Sequence, residues 1–291
     1  MTFYLLIEQI INGLIIGSTY ALIGSGIALI YGTMRVLNLA HGEFYMLGGY
    51  FVFYLAVTLG IPSYLAIPVA VFLAFVLGMV IQRLTIHYLL GREGWMFSSI
   101  AVTLGLAIFL QNAALLMFGE QFQSIPYYVS GVAEIGQLRI PAQRILIFVV
   151  AMTTIALMWY ILKRTRLGWA IRATSQDRDA AAVVGIPAER IFMITFGLAA
   201  ALGAIAAAML TPIYALNPWS GLPLLLKGFV VVILGGLGSF PGAIAAGLLL
   251  GVIEAVGVQL TSSEWRDVIS FGLMIAVIWW RPWGLFGNKP A

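Results

Sequence analysis

Asn38, His41 and Glu43 stand close together at the start of an apolar span, in the stretch RVLNLAHGEFYMLGG from Arg35 to Gly49. Polar and ionisable side chains are costly in lipid, so they face a cavity or the protein interior. Gly42 and the pair Gly48–Gly49 weaken a helix here. Irregular backbone at membrane depth is tolerated only where it is buried or lines a path. His41 and Glu43 are two apart, so they do not share a helix face and cannot make an ordinary helical ion pair. Two readings follow: a buried, hydrogen-bonded cap that holds the start of the span, or the lining of a gate. Gln111 and Asn112 inside one later span, and Glu254 inside another, pose the same choice between interhelical hydrogen bonding and path lining. Lys227 reads as a residue that snorkels to an interface. A second glycine-broken stretch, GGLGSFPG from Gly235 to Gly242, holds Gly236 and Gly238 ahead of another apolar span. Paired interrupted helices in two halves of a chain point to a transport path.

Other chemistries are excluded or weakly supported. With no cysteine and only His41 and His87, neither disulfides nor thiolate or multi-histidine metal sites are available. No G-x-x-x-x-G-K-[ST] motif occurs, so the chain does not hold ATP through a P-loop. A single Asn-Pro pair, Asn217–Pro218, argues against a water channel of the two-NPA type. Gly24–Ser25–Gly26 with a histidine invites an intramembrane serine protease reading. Ser25, however, continues a stripe of small residues, which is the simpler account.

The elements that must position these groups are apolar. The chain has 291 residues, 62% hydrophobic and 9% charged, with a mean hydropathy of +1.03. An ordinary soluble domain carries about 25% charged residues, so this is an all-α, polytopic transmembrane bundle in a single domain. Spans need about 20 apolar residues. They are expected near 4–31, 40–59, 63–89, 96–118, 142–162, 190–213, 222–237, 241–260 and 265–280. The 222–237 segment is short, which leaves eight to ten spans, some of them interrupted. Glu8 and the lack of a basic n-region give no expectation of a cleavable signal.

The one long polar run, 163–190, holds six of the fifteen Lys and Arg residues: Lys163, Arg164, Arg166, Arg172, Arg178 and Arg190. Basic loops stay on the cytoplasmic side. Arg35, Arg83, Arg92, Arg281 and Lys289 then fall on that side too, and Arg139, Arg144 and Arg266 outside. The N-terminus is therefore expected outside and the C-terminus in the cytoplasm. The net charge of +4 reflects this topology rather than nucleic-acid binding. The run also reads as folded. Thr174 and Asp177 make a T-x-x-D capping box, Gly185 suits a left-handed C′ position, and Pro187 stops any continuation. That predicts a helix over Ser175–Val184, with Ala180, Ala181 and Ala182 offering close approach to another protein. An ordered basic connector and a docking element for a cytoplasmic partner are the two readings. The main exterior loop is 119–141, with turn signals at Pro126, Gly131 and Gly136.

Small residues recur every four in the first span (Gly13, Gly17, Ala21, Ser25) and the eighth (Ala243, Gly247, Gly251, Ala255). At this spacing helices pack closely in lipid.

Three long stretches in order carry a family resemblance: NGLIIGSTYALIGSGIALIYGTMRVLNLAHGEFYMLGGY, TRLGWAIRATSQDRDAAAVVGI and KGFVVVILGGLGSFPGAIAAGLLLG. They resemble the LivH-type permease subunits of branched-chain amino-acid ABC importers. The ending VISFGLMIAVIWWRPWGLFG looks like that family's last span. The resemblance implies a multi-pass subunit of the bacterial inner membrane that is not itself an enzyme. It implies a second, similar permease, two cytoplasmic ATPases that hold ATP and Mg, and a periplasmic binding protein. This chain would bind no cofactor. It also implies that Arg164–Ile186 is the ATPase-coupling segment, with Arg164, Gly168, Arg172, Asp177, Ala180 and Gly185 in its pattern. The substrate path or gate would hold Asn38, His41, Glu43, Gln111, Asn112, Gly236 and Gly238. The cargo expected is leucine, isoleucine or valine, with urea or a short amide as the alternative. A stand-alone secondary transporter or channel is the reading from another class.

Overall fold

The computed structural model describes residues 3–90, 94–136 and 138–287. Arg92 and Lys289, both expected on the cytoplasmic side, lie outside the described residues. Long helices dominate because nearly every segment is an apolar run in which only a helix satisfies its own backbone in lipid. They are α1 (Phe3–Met34), α2 (His41–Phe53, continued by a π-helical turn Tyr54–Thr58), α3 (Ser63–Leu84) and α4 (Trp95–Phe118). A hairpin of β1 (Val132–Ile135) and β2 (Leu138–Pro141) precedes α5 (Ala142–Arg164). Two short helices follow, α6 (Arg166–Gln176) and α7 (Arg178–Val183). The rest is α8 (Ala188–Leu210), α9 (Gly221–Gly235), α10 (Phe240–Leu260) and α11 (Arg266–Trp280). All nine predicted spans are helices, and six of them are long and apolar enough to cross a membrane by length and composition. α9 and α11 have 15 residues each, about 22 Å of rise, against a hydrocarbon core of about 30 Å.

Arg35, Arg83 and the α6–α7 segment all lie at one end of the bundle, called here the basic end. α1 and α8 form its centre and are buried along most of their length, whereas α3, α4 and α5 expose most of theirs. α1 packs chiefly on α10, then on α8 and α9, while α8 holds α2 and α3. The two stripes of small residues meet each other. Gly17 lies against the backbone of Gly247 and Leu248, Gly247 against Ala21, and Gly251 against Gly13 and Gly17. Lipid tails are as apolar as leucine, so close backbone packing, not exclusion from water, holds this pair together.

The loop 119–141, expected outside, is more ordered than a connector. Gly131 and Gly136 take positive φ around the hairpin, and Gln123 pairs with Leu216 through two backbone bonds of 2.8 and 2.7 Å. Tyr128 donates its hydroxyl to the carbonyl of Ala208 at 2.8 Å. The loop is thus tied down over the end of α8.

The polar run departs from expectation. No single helix spans Ser175–Val184; the chain breaks at Asp177, whose backbone is extended. Asp177 caps α7 by accepting from the amides of Asp179 and Ala180, both at 2.9 Å. Thr174 is buried inside α6 and caps nothing. The local signal was real but marked α7 alone, because Asp177 outcompetes Thr174 as the cap. Thr165 caps α6, its hydroxyl accepting from Gly168 N at 3.2 Å. The C-terminal signal holds: Gly185 has φ +84°. Its amide bonds the Ala182 carbonyl at 3.0 Å, and the Ile186 amide bonds that of Ala181 at 3.0 Å, as in a Schellman motif. Gly185→Val is expected to cost about 1–2 kcal/mol locally, since a β-branched residue resists this conformation. Limited proteolysis should show faster cleavage between α7 and α8 in that variant, with the transmembrane core still intact.

Candidate functional site

The stretch 35–41 runs back into the bundle. Val36, Asn38 and Ala40 are buried, and His41 lies against Gly26 of α1. Gly26 is eight residues before the end of α1, so α2 begins about 12 Å inside the bundle from that end. Asn38 closes the turn, its Oδ1 accepting from Ala40 N at 3.0 Å. His41 packs edge-on against Phe44, with ring centroids 6.1 Å apart. Glu43 Oε1 accepts from Gln111 Nε2 at 3.3 Å, which joins α2 to α4. The structure therefore brings Asn38, His41, Glu43 and Gln111 to one buried joint. Asn112 is not part of it. Its side chain lies on the exposed face of α4 and donates back to the Ile108 carbonyl at 2.8 Å. Adjacent positions on a helix point about 100° apart, so Gln111 and Asn112 cannot both face the same partner.

Gly236 and Gly238 lie elsewhere, at the basic end. Gly238 packs against Gly32 of α1. Beside Gly236, the Leu285 amide bonds the Leu234 carbonyl at 2.8 Å and the Phe286 amide bonds that of Gly235 at 3.1 Å. Gly238 lines two adjoining cavities, of about 480 and 340 Å³. Arg35 opens onto the first and Arg172 onto the second. The two broken segments thus meet only at the basic end, where Arg35 of the first and Gly238 of the second line one cavity.

The residues of the expected coupling segment form a small folded unit over the end of α5. Gly168 sits directly on the carbonyls of Ile161 and Leu162, where no side chain fits. Arg172 donates from Nη1 to the Leu162 carbonyl. Trp169 Nε1 reaches the Lys163 carbonyl at 3.4 Å. These are the last carbonyls of a helix, which lack intrahelical donors and carry its negative dipole end. Arg164, Asp177 and Ala180 are exposed, whereas Ala181 is buried against the chain itself. The Ala180–Ala182 row thus offers only two of its three residues to a partner. Val183 and Val184 are 87% and 73% exposed, an apolar tip on an otherwise polar unit.

A polar cluster that the sequence did not reveal lies toward the opposite end. Lys227 does not snorkel. Its ammonium is buried and donates to Glu254 Oε1 at 2.5 Å and Ser270 Oγ at 2.6 Å, and it pairs with Asp267 Oδ1 at 2.9 Å. Ser270 also donates to Glu254 Oε1, and Tyr20 donates its hydroxyl to Glu254 Oε2 at 3.0 Å. Helices α1, α9, α10 and α11 each supply a member. Charges in three separate spans and a tyrosine in a fourth leave no local spacing signal; only the rarity of Lys227 and Glu254 in apolar runs could have marked them. The cluster borders a half-open cavity of about 460 Å³, within the usual range for small-molecule sites. Lys227, Arg266 and Asp267 supply its charges, while Ile16, Leu210, Leu224 and Trp219 supply apolar wall. A lining of a few charges among apolar side chains suits a small zwitterion with an apolar side chain.

Comparison with known proteins shows the family. A family model described as the permease component of branched-chain amino acid transport systems matches residues 9–278. The high-affinity branched-chain amino acid transport permease protein BraD of Pseudomonas aeruginosa is 38% identical, over 98% of this chain and 97% of its own length. LivH of Escherichia coli, described in the same terms, is 33% identical over the same shares. LivM of Escherichia coli, also described as a permease protein of such a system, is 24% identical over 91% of this chain and 67% of its own length.

Proposed function

Since this chain belongs to the permease component family of branched-chain amino acid transport systems, we propose that it is a membrane-spanning permease subunit of an ABC importer. Its cargo is leucine, isoleucine or valine, and it works in the bacterial inner membrane. The observation that carries this is the match to BraD over 98% of the chain. The permease is not an enzyme. ATP and Mg belong to two cytoplasmic ATPases, and a periplasmic binding protein delivers the cargo. A second, homologous permease completes the path, a pairing that the weaker likeness to LivM supports. The basic end faces the cytoplasm, by the preference of Lys and Arg for that side. That places the N-terminus outside and the C-terminus inside.

In this reading α6 and α7 form the coupling element. Closure of the ATPases pushes on Val183, Val184 and the exposed polar face. α6 passes the push to α5 through Gly168 and Arg172, and to the cavities beside Gly238. The joint at Asn38, His41, Glu43 and Gln111 serves as a hinge between α2 and α4 rather than as the cargo contact. A stand-alone transporter would have no use for such a folded cytoplasmic unit.

The test is uptake into vesicles that hold the assembled complex, with ATP and the cognate binding protein. Labelled leucine is expected to accumulate well above an ATP-free control, and labelled urea is not. Urea uptake without leucine uptake would reject the amino-acid reading and keep the permease fold.

A further inference from the structure

Resting on that reading, we infer that Lys227 receives the α-carboxylate of the amino acid, and that Asp267 is its exchangeable partner. On binding, Asp267 leaves Lys227 and turns to the substrate's α-ammonium group.

The three donors of the Lys227 ammonium are all taken, but the three acceptors are not equivalent. Glu254 and Ser270 are buried, and Glu254 is further held by Tyr20 and Ser270. The Asp267 side chain is 71% exposed, against 9% for Lys227 and 4% for Glu254. A buried pair is expensive to break, whereas a pair with one exposed partner is weak and readily exchanged. Asp267 is therefore the acceptor that an incoming carboxylate displaces. The displaced group stays within the same cavity, which both Lys227 and Asp267 line.

Charge bookkeeping favours a zwitterion. Lys227, Arg266, Glu254 and Asp267 sum to zero, and they still do after a zwitterion is inserted between Lys227 and Asp267. A cation or an anion would leave a net charge beside the buried Lys227–Glu254 pair. A neutral amide offers no carboxylate to match the acceptor it must replace. The exchange also has a mechanical outlet. Ser270 is the sole buried residue among those described in α11. Releasing Asp267, the second residue of that helix, removes one of the few polar ties that hold its outer end.

The experiment uses the assembled complex with its binding protein in vesicles, and labelled leucine. Lys227→Met alone leaves Glu254 buried and unpaired, so the informative variant is the double Lys227→Met/Glu254→Gln, which is neutral. If Lys227 receives the carboxylate, this variant assembles with its partners and its uptake falls at least 100-fold. If Lys227 only neutralises Glu254, the double variant recovers uptake to within about threefold of wild type, and the proposal is overturned. Asp267→Asn, a change at an exposed side chain, tests the second half. It is expected to raise the apparent KM for leucine at least tenfold at unchanged assembly, and a KM within twofold of wild type overturns the proposal even if the double variant fails to assemble. A wild-type complex that takes up urea but not leucine overturns the functional reading instead, before any variant is made.

Discussion

Gly247→Val is expected to abolish accumulation of the folded permease. A Cβ at this position would stand 2.6 Å from the Ala21 amide nitrogen, 2.7 Å from its Cα and 2.9 Å from its Cβ. Backbone atoms cannot rotate away, so α1 and α10 must separate. That separation is not local. The same contact line runs from Gly13 against Val252 to Gly32 against Gly238, just before α10, more than half the length of the central helix. Overpacking a core typically costs about 1–3 kcal/mol, and a forced backbone separation along a whole helix pair belongs at or above the top of that range. Membrane helices have no hydrophobic compensation for the lost contact, since lipid replaces it without gain from water. Gly105→Val is the matched control. Nothing lies within 4 Å of a Cβ there, and it sits in α4, another apolar helix. Chromatography of the detergent-extracted protein after mild heating should show Gly247→Val lost as aggregate and Gly105→Val eluting like wild type. A monodisperse Gly247→Val protein with an unchanged melting temperature would show that the α1–α10 seam does not limit stability.

Arg172→Glu is expected to leave the complex inserted and assembled while cutting ATP-driven uptake by at least tenfold. The change does two things at once. It removes the donor to the Leu162 carbonyl, which leaves a helix-terminal acceptor without its partner. It also sets a negative charge on the negative end of the α5 dipole, worth about 0.3–1 kcal/mol at an exposed site. Together these loosen α6 from α5, the link through which a push from below must pass. Reversing a charge at a docking surface further costs attraction and register. Arg172→Lys keeps the charge but not the planar fork, so it should fall between. The readout is paired: ATP hydrolysis and leucine uptake in the same vesicles. Hydrolysis that persists while uptake falls marks uncoupling. Wild-type uptake by Arg172→Glu would remove this residue from the coupling role.

The sequence by itself determined the class. Runs of about 20 apolar residues admit only helices in lipid. It also determined the features that live within one helical turn or one loop. The small-residue stripes on α1 and α10, the C′ role of Gly185 and the glycine-marked turn near 131–136 are of this kind, because each is written in spacing along a single segment. What only the tertiary structure decided is which faces meet. The two stripes could each have packed on any helix; the fold lays them on one another. Gln111 and Asn112 are neighbours in sequence, yet only the first meets Glu43, because the rotation of α4 is set by its packing. Whether Thr174 or Asp177 caps a helix depended on Ile171 and Thr174 lying on the buried face of α6. The sharpest case is the cluster of Tyr20, Lys227, Glu254, Asp267 and Ser270. Its hydrogen-bonded members lie up to 234 residues apart, on four helices, and no spacing within one segment marks them as partners. Helical periodicity reports on neighbours three and four residues away. A polar cluster built across four helices exists only once those helices are assembled.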